Sequence, residues 1–177
     1  GTVSYYGLEG DIGCEIIETG SLSKAFGVVG GFAAGRRSTI ESIKQKARSF
    51  IFTSSPLPPS MAAALIKAVE LLSADDSRVK KLWDNREYFA SRLANLGFNI
   101  GNSKTPIIPL LVGDEELAKQ FSQKAYVEGV FAHAILFPLV PKGKARLRVI
   151  LSANHEMKDL DKTIDVFKKV GKELKVI

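Results

Sequence analysis

The chain has one cysteine, two histidines and one tryptophan among 177 residues, and no apolar run near membrane-spanning length. Each scarcity excludes something. A lone Cys14 cannot form an intrachain disulfide, which fits a reducing compartment such as the cytoplasm. No activating partner stands beside it in sequence, so it reads as an inert thiol. His133 and His155 have no cysteine or carboxylate at ligand spacing, and no metal site is expected. Without a run of about 20 apolar residues, no helix of this sequence is expected to span a bilayer. Gly1 to Tyr6 lack the basic-then-apolar pattern of a secretory signal. No segment repeats, which excludes a solenoid or propeller.

What is present suits an ordinary folded domain. Hydrophobic residues make up 45% and charged residues 25%, enough of both for a core and a solvated surface. The net charge is +6. The basic residues are dispersed rather than gathered in a run with interleaved aromatics, so a nucleic-acid partner is not expected. A phosphate-rich small molecule is compatible with that charge.

Along the chain, residues 15–19 and 30–35 read as two short strands around a Ser- and Gly-rich turn. A helix is expected over 38–48, and a strand at 50–53. Another helix starts near Pro59, where Met61, Leu65, Val69 and Leu72 mark one face. Residues 73–77 form the best boundary, giving domains 1–75 and 76–177. In the second, a helix over 77–96 carries Val79, Leu82, Trp83, Phe89 and Leu93 on one side, and Gly97 sits at its C-terminal cap. Strands are expected at 98–100, 106–112, 130–137 and 146–151, with helices at 114–128 and 156–176. The order is α-β-β-α-β-β-α, an α+β domain, and the first 75 residues read as the end of a larger α/β domain.

Lys24 is the residue that stands out. One of many lysines, it is by default a solvated side chain. It nevertheless follows an apolar strand, lies in a turn of small residues, and precedes Gly27, Gly30 and Gly31, which allow close backbone approach. A lysine desolvated in such a setting becomes a nucleophile toward an aldehyde. Ser21 and Ser23 add hydroxyls suited to phosphate. The segment is not a P-loop, because Lys24 follows Ser23 and precedes Ala25, and it lacks the dinucleotide fingerprint.

Thr19-Gly20-Ser21-Leu22-Ser23-Lys24-Ala25-Phe26-Gly27, followed by Gly30-Gly31, resembles the cofactor-lysine segment of the α-oxoamine synthases. These are fold-type I enzymes dependent on pyridoxal 5′-phosphate (PLP) that join an amino acid to an acyl-CoA. Further matches come in order: Gly7-Leu8-Glu9-Gly10, Phe50 to Ser55, Val140 to Arg148, and Ser152-Ala153-Asn154-His155. The resemblance implies that Lys24 holds PLP as a Schiff base and later moves the α-proton. It implies that Ser21 contacts the cofactor phosphate. Thr53, with Ser54 beside it, would give a second phosphate contact across a homodimer interface. Arg148 would bind the substrate carboxylate, its planar fork matching a carboxylate better than lysine does. Arg146, two residues earlier, is expected on the opposite face of the strand. His133 reads as a satisfied structural histidine in an apolar strand, and His155 as a residue of the last helix's N-terminus.

The family's members are about twice this length. The resemblance therefore implies a C-terminal half, without the ring-stacking histidine and the aspartate that pairs with the pyridine nitrogen. These 177 residues alone are not expected to be a working enzyme or to bind PLP tightly. Within the family, Val140-Pro141-Lys142-Gly143 leans toward glycine C-acetyltransferase (2-amino-3-ketobutyrate CoA ligase), with 8-amino-7-oxononanoate synthase as the rival. The rival of another class is a non-catalytic assembly subunit, against which Lys24 argues.

Overall fold

The computed structural model describes residues 3, 6–8, 13–47 and 57–177. The strand expected at 50–53, and with it Thr53 and Ser54, lies outside the described residues. The chain divides into two compact units, Gly1–Asp75 and Asp76–Ile177.

In the first unit, β1 (Glu18–Ser21) and β2 (Gly31–Ala34) pair antiparallel, with Ser21 opposite Gly31 at the closing end. The approach at that end is close. A Cβ on Gly31 would lie 2.8 Å from the carbonyl oxygen of Gly20, so only glycine fits without a backbone shift. Helices α1 (Arg37–Lys46) and α2 (Pro59–Ala74) follow. Proline is the first residue of α2, where its missing N–H costs nothing. The expected stripe of α2 is not buried. No residue of this helix is, and Met61, Val69 and Leu72 stand exposed.

The second unit is a two-layer sandwich. Its elements are α3 (Ser77–Asn95), β3 (Ile107–Gly113), α4 (Glu115–Val127), β4 (His133–Ile135), β5 (Ala145–Ile150) and α5 (Met157–Glu173). The strands form one antiparallel sheet in the order β3-β5-β4. Alternation along β5 buries Ala145, Leu147 and Val149. Their neighbours in the core are Phe89 and Leu93 of α3, Phe121 and Ala125 of α4, and Leu160, Ile164 and Phe167 of α5. Three edge-to-face ring pairs run through this core: Phe98–Phe121, Phe121–Phe167 and Phe89–Phe167.

Local chemistry explains the boundaries. Asp114 caps α4 by accepting from the Leu117 N–H at 2.8 Å, and Glu115 and Glu116 favour the same helix end. Glu156 and Asp159 form a reciprocal capping box at the start of α5. Gly97 closes α3 at φ +95°.

Several expected features come out differently. Residues 98–100 are not a strand. The Asn99 carbonyl accepts from Leu111 N–H, its side-chain Oδ1 accepts from Gly101 N–H, and the chain turns there. The strand expected at 130–137 shortens to three residues. On α3, Val79 and Trp83 are exposed. The stripe instead runs through Leu82, Asn85, Phe89 and Leu93, so a polar residue occupies a position the apolar pattern did not flag.

Candidate functional site

The Lys24 turn is built on two buried anchors. Leu22 and Val28 are 5% and 3% exposed, and the backbone ties Leu22 N–H to the Gly30 carbonyl and Val28 N–H to the Leu22 carbonyl. Between them Gly27 N–H returns to the Lys24 carbonyl at 3.2 Å, a tight turn that Gly27 permits at φ +65°. The anchors point inward, and Lys24, Ser21 and Ser23 point out. The Ser21 and Ser23 hydroxyls lie 2.9 Å apart and share one hydrogen bond, one donating to the other, on the lysine's own loop. Among the described residues no carboxylate pairs with Lys24. The amine is presented rather than neutralised, and the desolvation expected for it is not supplied by the described residues of its unit. An aldehyde cofactor carrying a phosphate fits this chemistry: a free primary amine for the aldehyde and a hydroxyl pair for the phosphate.

The second unit offers an open sheet face. Because β5 buries its odd-numbered residues, Arg146, Arg148 and Ile150 share the opposite face. That corrects the expectation that Arg146 and Arg148 diverge across the strand, since residues two apart in a strand lie on the same side. Arg148 stands between Pro109 of β3 and His133 of β4, and Arg146 between Leu111 and Ile135. Both arginines line an open groove of about 480 Å³ with Ser103, Thr105, Ile107, Pro109, Ile135 and Leu139. His133 is exposed on this face, with its ring against Phe131, rather than buried in an apolar strand.

Two supporting residues, Asn85 and Arg86, were not singled out from sequence. Asn85, 5% exposed, donates to the carbonyls of both Ser152 and His155 at 3.0 Å. His155 Nδ1 accepts from Ser152 N–H at 3.2 Å, so the turn before α5 is held from both sides and His155 is structural. Arg86 donates to the Ser103 carbonyl and fixes the loop at one end of the groove. The signal for Asn85 was available: an amide on a helix stripe between Leu82 and Phe89 needs a buried partner. Two side chains titrate above their ordinary values, Tyr88 chiefly through its hydrogen bond to Asp161 and Lys169 through its bond to Glu128. Both belong to helix–helix contacts rather than to the open face.

Comparison with known proteins adds an independent line. The family model for aminotransferase class I and II matches residues 3–167. The 8-amino-7-oxononanoate synthase of Thermosipho melanesiensis is 50% identical over 177 residues, covering 100% of this chain and 44% of the relative. The enzyme of the same name from Fervidobacterium nodosum gives the same identity and coverage. The chain thus spans less than half the length of these curated relatives. Among solved structures, serine palmitoyltransferase from S. paucimobilis with a bound PLP–myriocin aldimine superposes with a TM-score of 0.89 at 28% identity, covering 100% of this chain and 44% of that one. No helix among the described residues is long and apolar enough to cross a membrane.

Proposed function

The chain belongs to the aminotransferase class I and II family, and from that premise we propose that it carries part of the active site of a PLP-dependent C-acyltransferase joining an amino acid to an acyl-CoA. The resemblance to the α-oxoamine synthases is borne out by the relatives and the solved structure. The observation that carries the proposal is Lys24, held outward on an anchored turn beside two hydroxyls.

When bound, PLP supplies an electron sink for the bond broken at the amino acid's α-carbon. Lys24 Nζ would be the amine that holds the cofactor's aldehyde and, once released, the base placed to take the α-proton. Ser21 steadies the phosphate. By the family resemblance, Thr53, with Ser54 beside it, would give a second phosphate contact across a homodimer interface. Arg148 receives the substrate carboxylate. The α-carbon forms a bond to the acyl carbon, the carbon–sulfur bond breaks, and coenzyme A leaves as the thiol.

Two substrate pairs fit this chemistry. The Val140 to Gly143 segment leans toward glycine with an acetyl group. The relatives' name favours the other reading. An 8-amino-7-oxononanoate has a methyl beside its amine-bearing carbon and a carboxylate at the far end. That constitution follows from alanine, loss of carbon dioxide, and a seven-carbon acyl group ending in a carboxylate. Assaying the full-length protein with glycine, alanine and serine against an acyl-CoA panel tests the proposal. Release of free thiol that depends on both substrates supports it, and none with any pair refutes it. Alanine with carbon dioxide release selects the second reading.

In the same assay Arg148→Ala is expected to raise the amino-acid KM roughly 30-fold or more. A closed-off charge pair is worth about 2–5 kcal/mol, and about 1.4 kcal/mol is tenfold. An unchanged amino-acid KM removes Arg148 from that role.

A further inference from the structure

Among the described residues, Asn85 alone is polar and buried. It stands on the stripe of α3 between Leu82 and Phe89, where an apolar side chain would suit the core. An amide taken out of water destabilises a fold unless its hydrogen bonds are replaced. Here the replacements lie at one place. The amide nitrogen donates to the carbonyls of Ser152 and His155, each at 3.0 Å. His155 N–H closes the same turn on the Ser152 carbonyl at 3.2 Å. Helix α3 thus grips the exit of β5.

That exit is where β5 loses support. β4 pairs with β5 only over Arg146–Arg148, while β3 continues opposite Val149 and Ile150. Arg148 is therefore the last residue of β5 with a strand on both sides. Beyond it, the unpaired edge borders an open cavity of about 480 Å³ lined by Gly129, Phe131, Val149, Leu151, His155 and Thr163, with Arg148 on its wall. A strand end beside a cavity has room to shift. The β3 flank is fixed without Asn85. Leu151 N–H donates to the Pro106 carbonyl at 3.3 Å, the Ser103 hydroxyl donates to the Ile107 carbonyl at 2.6 Å, and Arg86 holds the Ser103 carbonyl. On the cavity flank, the side-chain hydrogen bonds that tie the turn to another element come from Asn85.

We propose that Asn85 is a positioning residue: through the Ser152–His155 turn it holds the end of β5 and so fixes the aim of the Arg148 guanidinium. The proposal rests on the reading of Arg148 as the residue that receives the substrate carboxylate. A guanidinium grips a carboxylate through two parallel hydrogen bonds, so its strength depends on direction. A shift in a strand end that leaves the fold intact is enough to spoil that direction.

The test uses the full-length protein and two variants without the amide donor. Asn85→Ala leaves space on the stripe, and Asn85→Leu fills it. Each is expected to raise the amino-acid KM roughly tenfold, the scale of a misaimed rather than a missing contact, with the acyl-CoA KM within about twofold and PLP still bound. If one variant does not fold, the other gives the measurement. A rise in only one of two folded variants makes packing the cause and overturns the proposal. Combined with Arg148→Ala, neither variant is expected to raise the amino-acid KM further, because the group through which Asn85 acts is gone. A further rise in the double variant overturns the proposal. Leu93→Ala opens the same core about two turns further along α3 and is the control for general loosening. It is expected to lower the melting temperature and leave the ratio of the two KM values unchanged. If it shifts that ratio as Asn85→Ala does, the effect is one of stability and the proposal falls. Hydrogen exchange at the Leu151 and Ser152 amides, both hydrogen-bonded at this exit, separates the proposal from the reading beneath it. Faster exchange there in the Asn85 variants, with Arg148→Ala leaving the amino-acid KM unchanged, refutes the carboxylate reading and keeps Asn85 as the holder of the strand end. A raised KM in Arg148→Ala with none in either Asn85 variant removes Asn85 alone.

Discussion

Lys24→Ala in the full-length protein is expected to lower turnover by about 10²–10⁴-fold, the contribution of a positioned acid–base group, while the melting temperature stays nearly constant. The two halves of this expectation have separate physical grounds. The chemical half follows from an amine with no carboxylate partner among the described residues, on a turn with hydroxyls at Ser21 and Ser23. The stability half follows from where the turn keeps its packing. Leu22 and Val28 are its buried anchors, and Lys24 is exposed between them. Truncating an exposed side chain away from caps and cores shifts stability by no more than about 0.5 kcal/mol. Steady-state rates and a melting curve on the same preparation check both halves. A variant that keeps wild-type turnover removes Lys24 from the chemistry, and one that loses turnover only by unfolding makes it a structural residue.

Phe167→Ala is expected to destabilise the second unit by about 3–5 kcal/mol, the usual cost of emptying a core phenylalanine site. Phe167 is fully buried. Its ring meets Phe121 at 5.4 Å and Phe89 at 6.2 Å, both edge-to-face, so one truncation breaks two aromatic pairs that join three helices. The neighbours come from α3, α4 and α5 and cannot all relax into the space together. Phe131 is the matched control, since it is 78% exposed and its loss is expected to cost no more than about 0.5 kcal/mol. Denaturant midpoints for the two variants measure the difference. Equal shifts would mean that the ring cluster is not the centre of this core.

Helix positions and the α/β class were legible because period and punctuation agree. Pro59 opens one helix, Asp114 caps another and Gly97 closes a third. The likeness to fold-type I PLP enzymes is borne out by the family match and the superposition. The strands were less legible. Residues 98–100 have the composition of a strand but contribute one carbonyl to the sheet, at Asn99, before the turn at Gly101. The register of β5 with β4 stops at His133, so most of the apolar run over 130–137 remains unpaired. The stripe of α3 was misjudged at Val79 and Trp83 because local pattern does not reveal which turn of a helix the sheet covers.

The site followed the same division. Lys24 and Ser21 were proposed from a motif, and their loop is a local structure that a motif can specify. Asn85 holds the turn before α5 from 67 and 70 residues away in sequence, a relation that no local pattern encodes. The shared face of Arg146 and Arg148 was readable from strand alternation alone, and the structure restores what that rule requires.

Borohydride reduction of the full-length protein with PLP, followed by peptide mapping, tests the central claim most directly. The reduction fixes a cofactor to whichever amine holds it. The account predicts a pyridoxyl group on the peptide containing Lys24, at that residue and in proportion to bound cofactor. Label on other lysines with none on Lys24 would contradict it.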